Sequence, residues 1–176
     1  PPSPRAFRYA DMDVSPDGSL IACVRERHGE SELPENDLVV LAGFMRILSA
    51  SAVQMAQGRM INIHPSLLPL YPGLRTHERA LAAGDAEHGA SVHQVTAEVD
   101  AGAVIAQARV PVRPGDDAPA LTARVLAREH PLLVAVVRAF AEGQLTAGPQ
   151  GVAWQGKALH APLSLDDTGS RLLPRT

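Results

Sequence analysis

Ile61-Asn62-Ile63-His64-Pro65-Ser66-Leu67-Leu68-Pro69-Leu70-Tyr71-Pro72-Gly73 is the stretch around which the chain is organised. Met60 to His64 reads as a short strand, because Ile61 and Ile63 alternate with polar Asn62. Residues i and i+2 of a strand point to the same side. Asn62 and His64 therefore project together from a strand end, where Pro65 breaks the ladder. An amide donor then stands beside a titratable imidazole at a strand-to-loop edge, a common place for chemistry in open α/β sheets. The plainer alternative is a buried strand with two incidental polar residues.

Upstream, Leu38-Val39-Val40-Leu41-Ala42 is an apolar run of strand length, as expected of a strand buried on both faces. Gly43 to Leu48 reads as a loop. Ser49 can cap a helix over Ala50 to Gln57 that Gly58 ends. The unit 38–64 is thus strand, helix, strand, a crossover that implies two parallel strands. Downstream, Leu67 to Arg75 reads as a loop, and Thr76 as the cap of a helix over His77 to Ala83. Gly89 to Val95 and Ala103 to Val110 alternate, and the short acidic loop between them predicts an antiparallel hairpin. Ala120 to Glu142 is the longest helix, with Leu121, Val125, Leu132, Val136 and Phe140 near a 3.6 period and Pro131 expected to kink it. Val152 to Trp154 reads as a last short strand, and 161–176 as a tail.

Residues 1–37 differ in character. Met12 to Val14, Ser15-Pro16-Asp17-Gly18 and Leu20 to Val24 read as strand, type I turn, strand. The segment from Arg8 to Glu26 resembles one propeller-blade hairpin of the prolyl-oligopeptidase family, although a propeller needs several blades. The division is a hairpin and leader segment over 1–37, a catalytic region over 38–160 and the tail. The chain opens on Pro1-Pro2, which reads as a fragment or a processed product.

Composition narrows the function. The 176 residues suit one domain, 45% hydrophobic but only 3% aromatic, so the core is aliphatic. A net charge of −3 makes no electrostatic case for nucleic acid or an anionic membrane. No run approaches the ~20 apolar residues of a membrane span. Cys23 stands alone, which excludes an internal disulfide framework and favours a reducing compartment. Cys23 itself reads as a small hydrophobe. His88 and His93 are five apart on one strand, so they face opposite sides and are poor joint metal ligands.

Leu41-Ala42-Gly43-Phe44-Met45-Arg46-Ile47-Leu48, the stretch Asn62 to Gly73, His88 to His93 running through Val95-Thr96 to Asp100, Gly102, Thr122 to Arg124 and Glu129-His130 stand in the order and spacing of one family. From Leu38 to about Trp154 the chain closely resembles the phosphoribosylglycinamide formyltransferases of purine synthesis. The continuation Tyr71 to His77 looks like that branch rather than its relatives acting on methionyl-tRNA or on formyl-folate alone. The resemblance implies an α/β, Rossmann-like mixed sheet flanked by helices. It implies formyl transfer from 10-formyltetrahydrofolate to the amine of glycinamide ribonucleotide, without a metal, in the cytoplasm, by an enzyme whose homodimerisation is left open. Asn62, His64 and Asp100 match the catalytic residues. Met45, Arg46, Ile47, Leu48, Val53, Val95, Thr96 and Asp100 match the folate cleft, and Glu129 the carboxylate that holds the ribonucleotide. Ser91 and His93 fall in supporting positions, where His93 is equally readable as plain structure and Glu129 as an exposed helix residue. His28, His77, His130 and His160 read as surface or cap residues, and Glu98 as solvated loop charge.

The chemistry suits those residues. Attack of an amine on a formyl carbon creates an oxyanion, to which the Asn62 amide and a protonated His64 can donate. A carboxylate at Asp100 favours the charged imidazole and can orient a water that relays the amine proton. The family's opening strand and Gly-Asn-Gly-Ser-type phosphate loop find no counterpart in residues 1–37, so the fold is expected to be N-terminally truncated, with the strand at 38–42 an apolar edge that the hairpin at 12–24 either covers or leaves open. The alternative function is an inactive or folate-binding remnant that lacks the substrate phosphate site.

Overall fold

The computed structural model describes residues 8–14, 21–26, 38–44, 48–56 and 58–174. β1 (Arg8–Val14) and β2 (Ile21–Glu26) pair antiparallel, in line with the hairpin reading; the turn between them lies outside the described residues. β2 pairs antiparallel with β3 (Val39–Leu41), Cys23 opposite Val40. Of the two arrangements open to the apolar run at 38–42, the covered one forms: a strand of the leading hairpin supplies its hydrogen-bonding partner.

The crossover forms as the sequence predicts. α1 (Ala50–Met55) is capped by Ser49, whose Oγ accepts from the Ala52 N–H at 3.2 Å. β3 and β4 (Met60–His64) are parallel, Val40 opposite Ile61. The next helix starts differently. α2 (Thr76–Ala83) contains Thr76 as its first residue, buried at 3% exposure, and the cap position falls on Arg75 in the left-handed region at φ 54°. A left-handed residue cannot adopt the extended geometry from which a capping side chain reaches back, and Arg75 makes no capping side-chain bond.

β5 (Glu87–Gln94) and β6 (Val104–Pro111) form the antiparallel hairpin, and β5 also pairs antiparallel with β4. α3 (Ala118–Ala141) begins two residues earlier than its periodicity suggests, because Asp117 Oδ1 caps the Ala120 N–H at 2.8 Å and Pro119 in the first turn needs no donor. It runs on through Pro131 as one helix. Leu121, Val125, Leu132 and Val136 are fully buried, packed with Ile105, Ala106 and Val92 of the hairpin. At roughly 1.5–3 kcal/mol for each buried aliphatic side chain, this face is what holds the helix to the sheet.

β7 (Leu145–Gly148), β8 (Gly151–Trp154) and β9 (Lys157–Ala158) make a small antiparallel sheet of their own. The residues read as a tail instead return to the main sheet. β10 (Leu163–Leu165) runs parallel to β6, and β11 (Leu172–Leu173) pairs with β10. Leu163 and Leu165 are buried core residues. Strands of two or three residues are too short to show an alternation, which is why periodicity misses them. Among the described residues the main sheet has the order β1-β2-β3-β4-β5-β6-β10-β11. No helix among the described residues is long and apolar enough to cross a membrane.

Candidate active site

β4 and β5 carry the site. Their register sets Asn62 opposite His93 and His64 opposite Ser91, so the i, i+2 pair of the opening strand meets two polar residues of its neighbour. Directly opposed residues of an antiparallel pair share a face. The Asn62 Nδ2–H donates to His93 Nε2 at 3.2 Å. His93 Nδ1–H donates to the Gln94 carbonyl at 3.0 Å. Burial pushes the His93 imidazole down, only partly opposed by the Gln94 carbonyl and Asp100. A neutral ring that donates from Nδ1 has a bare Nε2, so His93 holds one amide proton of Asn62 and leaves the other free.

Asp100 arrives from the acidic loop between β5 and β6, itself in the left-handed region at φ 54°. Its Oδ2 accepts from the Gly73 N–H at 2.8 Å and lies 3.4 Å from His64 Nδ1; its Oδ1 is 3.5 Å from His93 Nε2. His64 Nε2–H donates to the Tyr71 carbonyl at 3.0 Å. Both nitrogens of His64 thus face acceptors, and a proton on each has a partner. The structure brings together Asn62, His64 and Asp100 from two elements, with His93 as a direct hydrogen-bond partner.

The remaining candidates divide. Leu48 and Val95 pack with Phe44 on a small cluster around buried Leu41 and Met60, separate from the main core. An apolar wall thereby stands at the start of the strand that carries Asn62. Val53 is half-buried on α1. Met45, Arg46 and Ile47 lie outside the described residues. Thr96 Oγ1–H donates to the Glu98 carbonyl at 3.0 Å and folds the acidic loop, while Glu98 itself is exposed. Glu129 is half-buried on α3 and shares no hydrogen bond or ion pair with the cluster; burial pushes its carboxyl up, partly offset by His130. Ser91 is fully buried beneath the loop that follows β4. Among the described residues no group of three or more His, Cys, Asp or Glu could hold a metal.

Two partners were not legible in the sequence. Tyr71 and Gly73 act through backbone atoms, which side-chain chemistry does not advertise. His77 is not a plain surface residue: its Nδ1 lies 3.2 Å from Nε2 of buried His88. His28 lies outside the described residues.

A family model described as formyl transferase matches residues 24–137. The chain belongs to the formyl transferase family. The match begins at residue 24, within the segment that composition sets apart from the remainder. Phosphoribosylglycinamide formyltransferase of Escherichia coli K12 is 53% identical over 130 residues, which cover 74% of this chain and 61% of that protein. The human trifunctional purine biosynthetic protein adenosine-3 is 46% identical over 119 residues, 67% of this chain and 12% of its own length. Among solved structures, phosphoribosylglycinamide formyltransferase of Coxiella burnetii in complex with CHES superposes with a TM-score of 0.66 at 49% identity, covering 78% of this chain and 61% of that one. The chain therefore spans about three-fifths of the length of these single-function relatives. Its mixed sheet flanked by helices is the Rossmann-like architecture of this family of transferases.

Proposed function

We propose that this formyl transferase chain carries the reaction centre of a phosphoribosylglycinamide formyltransferase, which moves a formyl group from 10-formyltetrahydrofolate to the amine of glycinamide ribonucleotide. The observation that supports it most is the convergence of Asn62, His64, His93 and Asp100 at the end of β4, within a segment 53% identical to an enzyme of that name. In this reading the amine lone pair attacks the formyl carbon, a C–N bond forms and the carbonyl electrons move to oxygen. The free N–H of Asn62 donates to that oxyanion, and the His64 Nδ1–H, whose 3.4 Å contact with Asp100 is longer than a full hydrogen bond, donates to the same oxygen, each worth about 2.7–4 kcal/mol in a preorganised site. Collapse breaks the bond to the folate nitrogen. The amine loses one proton and the folate nitrogen gains one, so charge and atoms balance. Asp100, held by the Gly73 N–H, orients His64 and the relaying water.

The folate belongs against the wall of Leu48 and Val95, and Glu129 on α3 is given to the ribonucleotide by its match to the family's substrate-holding carboxylate. Formyl transfer measured with both substrates, with His64→Ala beside the parent, tests the assignment. The variant should lose about 100-fold or more in turnover. Equal turnover in the two proteins would remove His64 from the chemistry. Folate binding without transfer in the parent would select the folate-binding remnant instead.

A further inference from the structure

A second polar row runs beside the Asn62–His93 pair on the same face of the sheet and starts from His64. His64 on β4 is opposite Ser91 on β5, and Ser91 is opposite Gln107 on β6. Ser91 is fully buried and Gln107 is 4% exposed. A buried glutamine in the middle of an aliphatic sheet is costly unless its amide is satisfied, and here both amide protons have acceptors. Gln107 Nε2 donates to the Leu68 carbonyl at 2.9 Å and to Ser91 Oγ at 3.0 Å. Ser91 Oγ in turn donates to the Ser66 carbonyl at 2.7 Å and accepts from the Leu68 N–H at 3.0 Å. That hydroxyl uses its one proton and both lone pairs. Ser66 Oγ–H donates to the Leu70 carbonyl at 2.6 Å, which carries the restraint one step further along the loop.

The segment pinned in this way, Ser66 to Leu70, leads directly into Tyr71 and Gly73. Those two supply the carbonyl on His64 Nε2 and the N–H on Asp100 Oδ2. Tyr71 holds a left-handed φ of 55°, a conformation that a non-glycine residue keeps only where its surroundings over-determine it. We propose that Gln107 is a positioning residue for the candidate active site: through Ser91 and the Leu68 carbonyl it fixes the loop after β4, so that Tyr71 aims the His64 ring and Gly73 aims Asp100. It touches no reacting atom and acts at a distance, through backbone. The proposal rests on the reading of His64 and Asp100 given above, and goes beyond it in assigning a role to a residue of β6.

The test uses protein labelled with ¹⁵N at histidine, in which long-range proton–nitrogen spectra report the tautomer of each ring and the exchange of its N–H. In the parent, the His64 Nε2–H should be protected by the Tyr71 carbonyl. In Gln107→Leu, which keeps the side-chain volume and removes both donors, that signal should be lost or exchange at least tenfold faster, and turnover should fall about tenfold with folate KM little changed. Leu132→Ala, a core truncation outside this network, should keep the signal, which separates positioning from general loss of stability. If Gln107→Leu does not fold, Ser91→Ala, which deletes one oxygen, carries the same expectation. Unchanged His64 ring signals in a folded Gln107→Leu or Ser91→Ala protein overturn the proposal. A parent without formyl transfer, but with a His64 signal that depends on Gln107, would leave the positioning role standing and refute the function instead.

Discussion

His88 is 1% exposed, with His77 Nδ1 3.2 Å from its Nε2 and the Tyr71 ring edge-on at 6.2 Å. Burial, reinforced by the neighbouring His77, pushes its imidazole down from the ordinary value of 6.5 to about 4, against a weaker upward pull from Asp85 and the Pro65 carbonyl. The sign follows from proton counting. Between those two values the unfolded chain binds the proton and the folded chain does not, so stability is present above pH 6.5 and is lost as pH falls toward 4. The full difference is roughly 3 kcal/mol, and about 2 kcal/mol of it should be gone at pH 5 relative to pH 7. His77, also pushed down by burial, acts in the same direction. Urea unfolding at the two pH values, in the parent and in His88→Gln, isolates the contribution, since Gln keeps a polar group at the Nε2 position but does not titrate. The parent should lose about 2 kcal/mol more than the variant on acidification. The same loss in both proteins would mean that His88 is not buried neutral, and would refute the reasoning. The consequence for the site is direct, because His88 lies against the loop whose Tyr71 carbonyl holds His64.

Two further outcomes follow from packing. Leu132→Ala empties a fully buried position where α3 meets the sheet and should cost about 2–5 kcal/mol in chemical denaturation, the spread depending on how far the helix can settle. In Gly102→Ala, the added methyl would stand 1.7 Å from the Gln94 carbonyl oxygen and 2.7 Å from its carbon, so backbone must move. It should cost about 1–3 kcal/mol in a thermal melt, and amide shifts should spread over the loop that carries Asp100; a variant with parent-like stability and spectra would contradict the close approach.

Much of the architecture was legible because it follows from local pattern. The alternation of Ile61, Asn62, Ile63 and His64 predicts β4 with the bounds the structure shows. The capped helix behind it and the parallel pairing of β3 with β4 follow from Ser49 and the length of the crossover. The hairpin of β5 and β6 and the buried stripe of α3 follow from periods of 2 and 3.6. Other features left no such trace. β10 and β11 are too short to alternate, and β2 joins β3 across a segment of unrelated composition. Thr76 has the chemistry of a cap, but the backbone of Arg75 turns left-handed ahead of it.

The same division runs through the site. Side-chain identity and spacing were enough to place Asn62 and His64 on one face of one strand, because a strand's period is a property of local covalent geometry. Resemblance added Asp100, 36 residues beyond His64. Only the tertiary structure could decide what each group bonds to. His93 holds one proton of the Asn62 amide because β5 lies beside β4 in one particular register. Asp100 meets His64 because the Gly73 N–H holds it there, and His64 is aimed by a carbonyl of the loop anchored on Ser91 and Gln107. Those contacts join backbone atoms and strands far apart in the chain, and their geometry is set by pairing and packing rather than by the identity of any one residue.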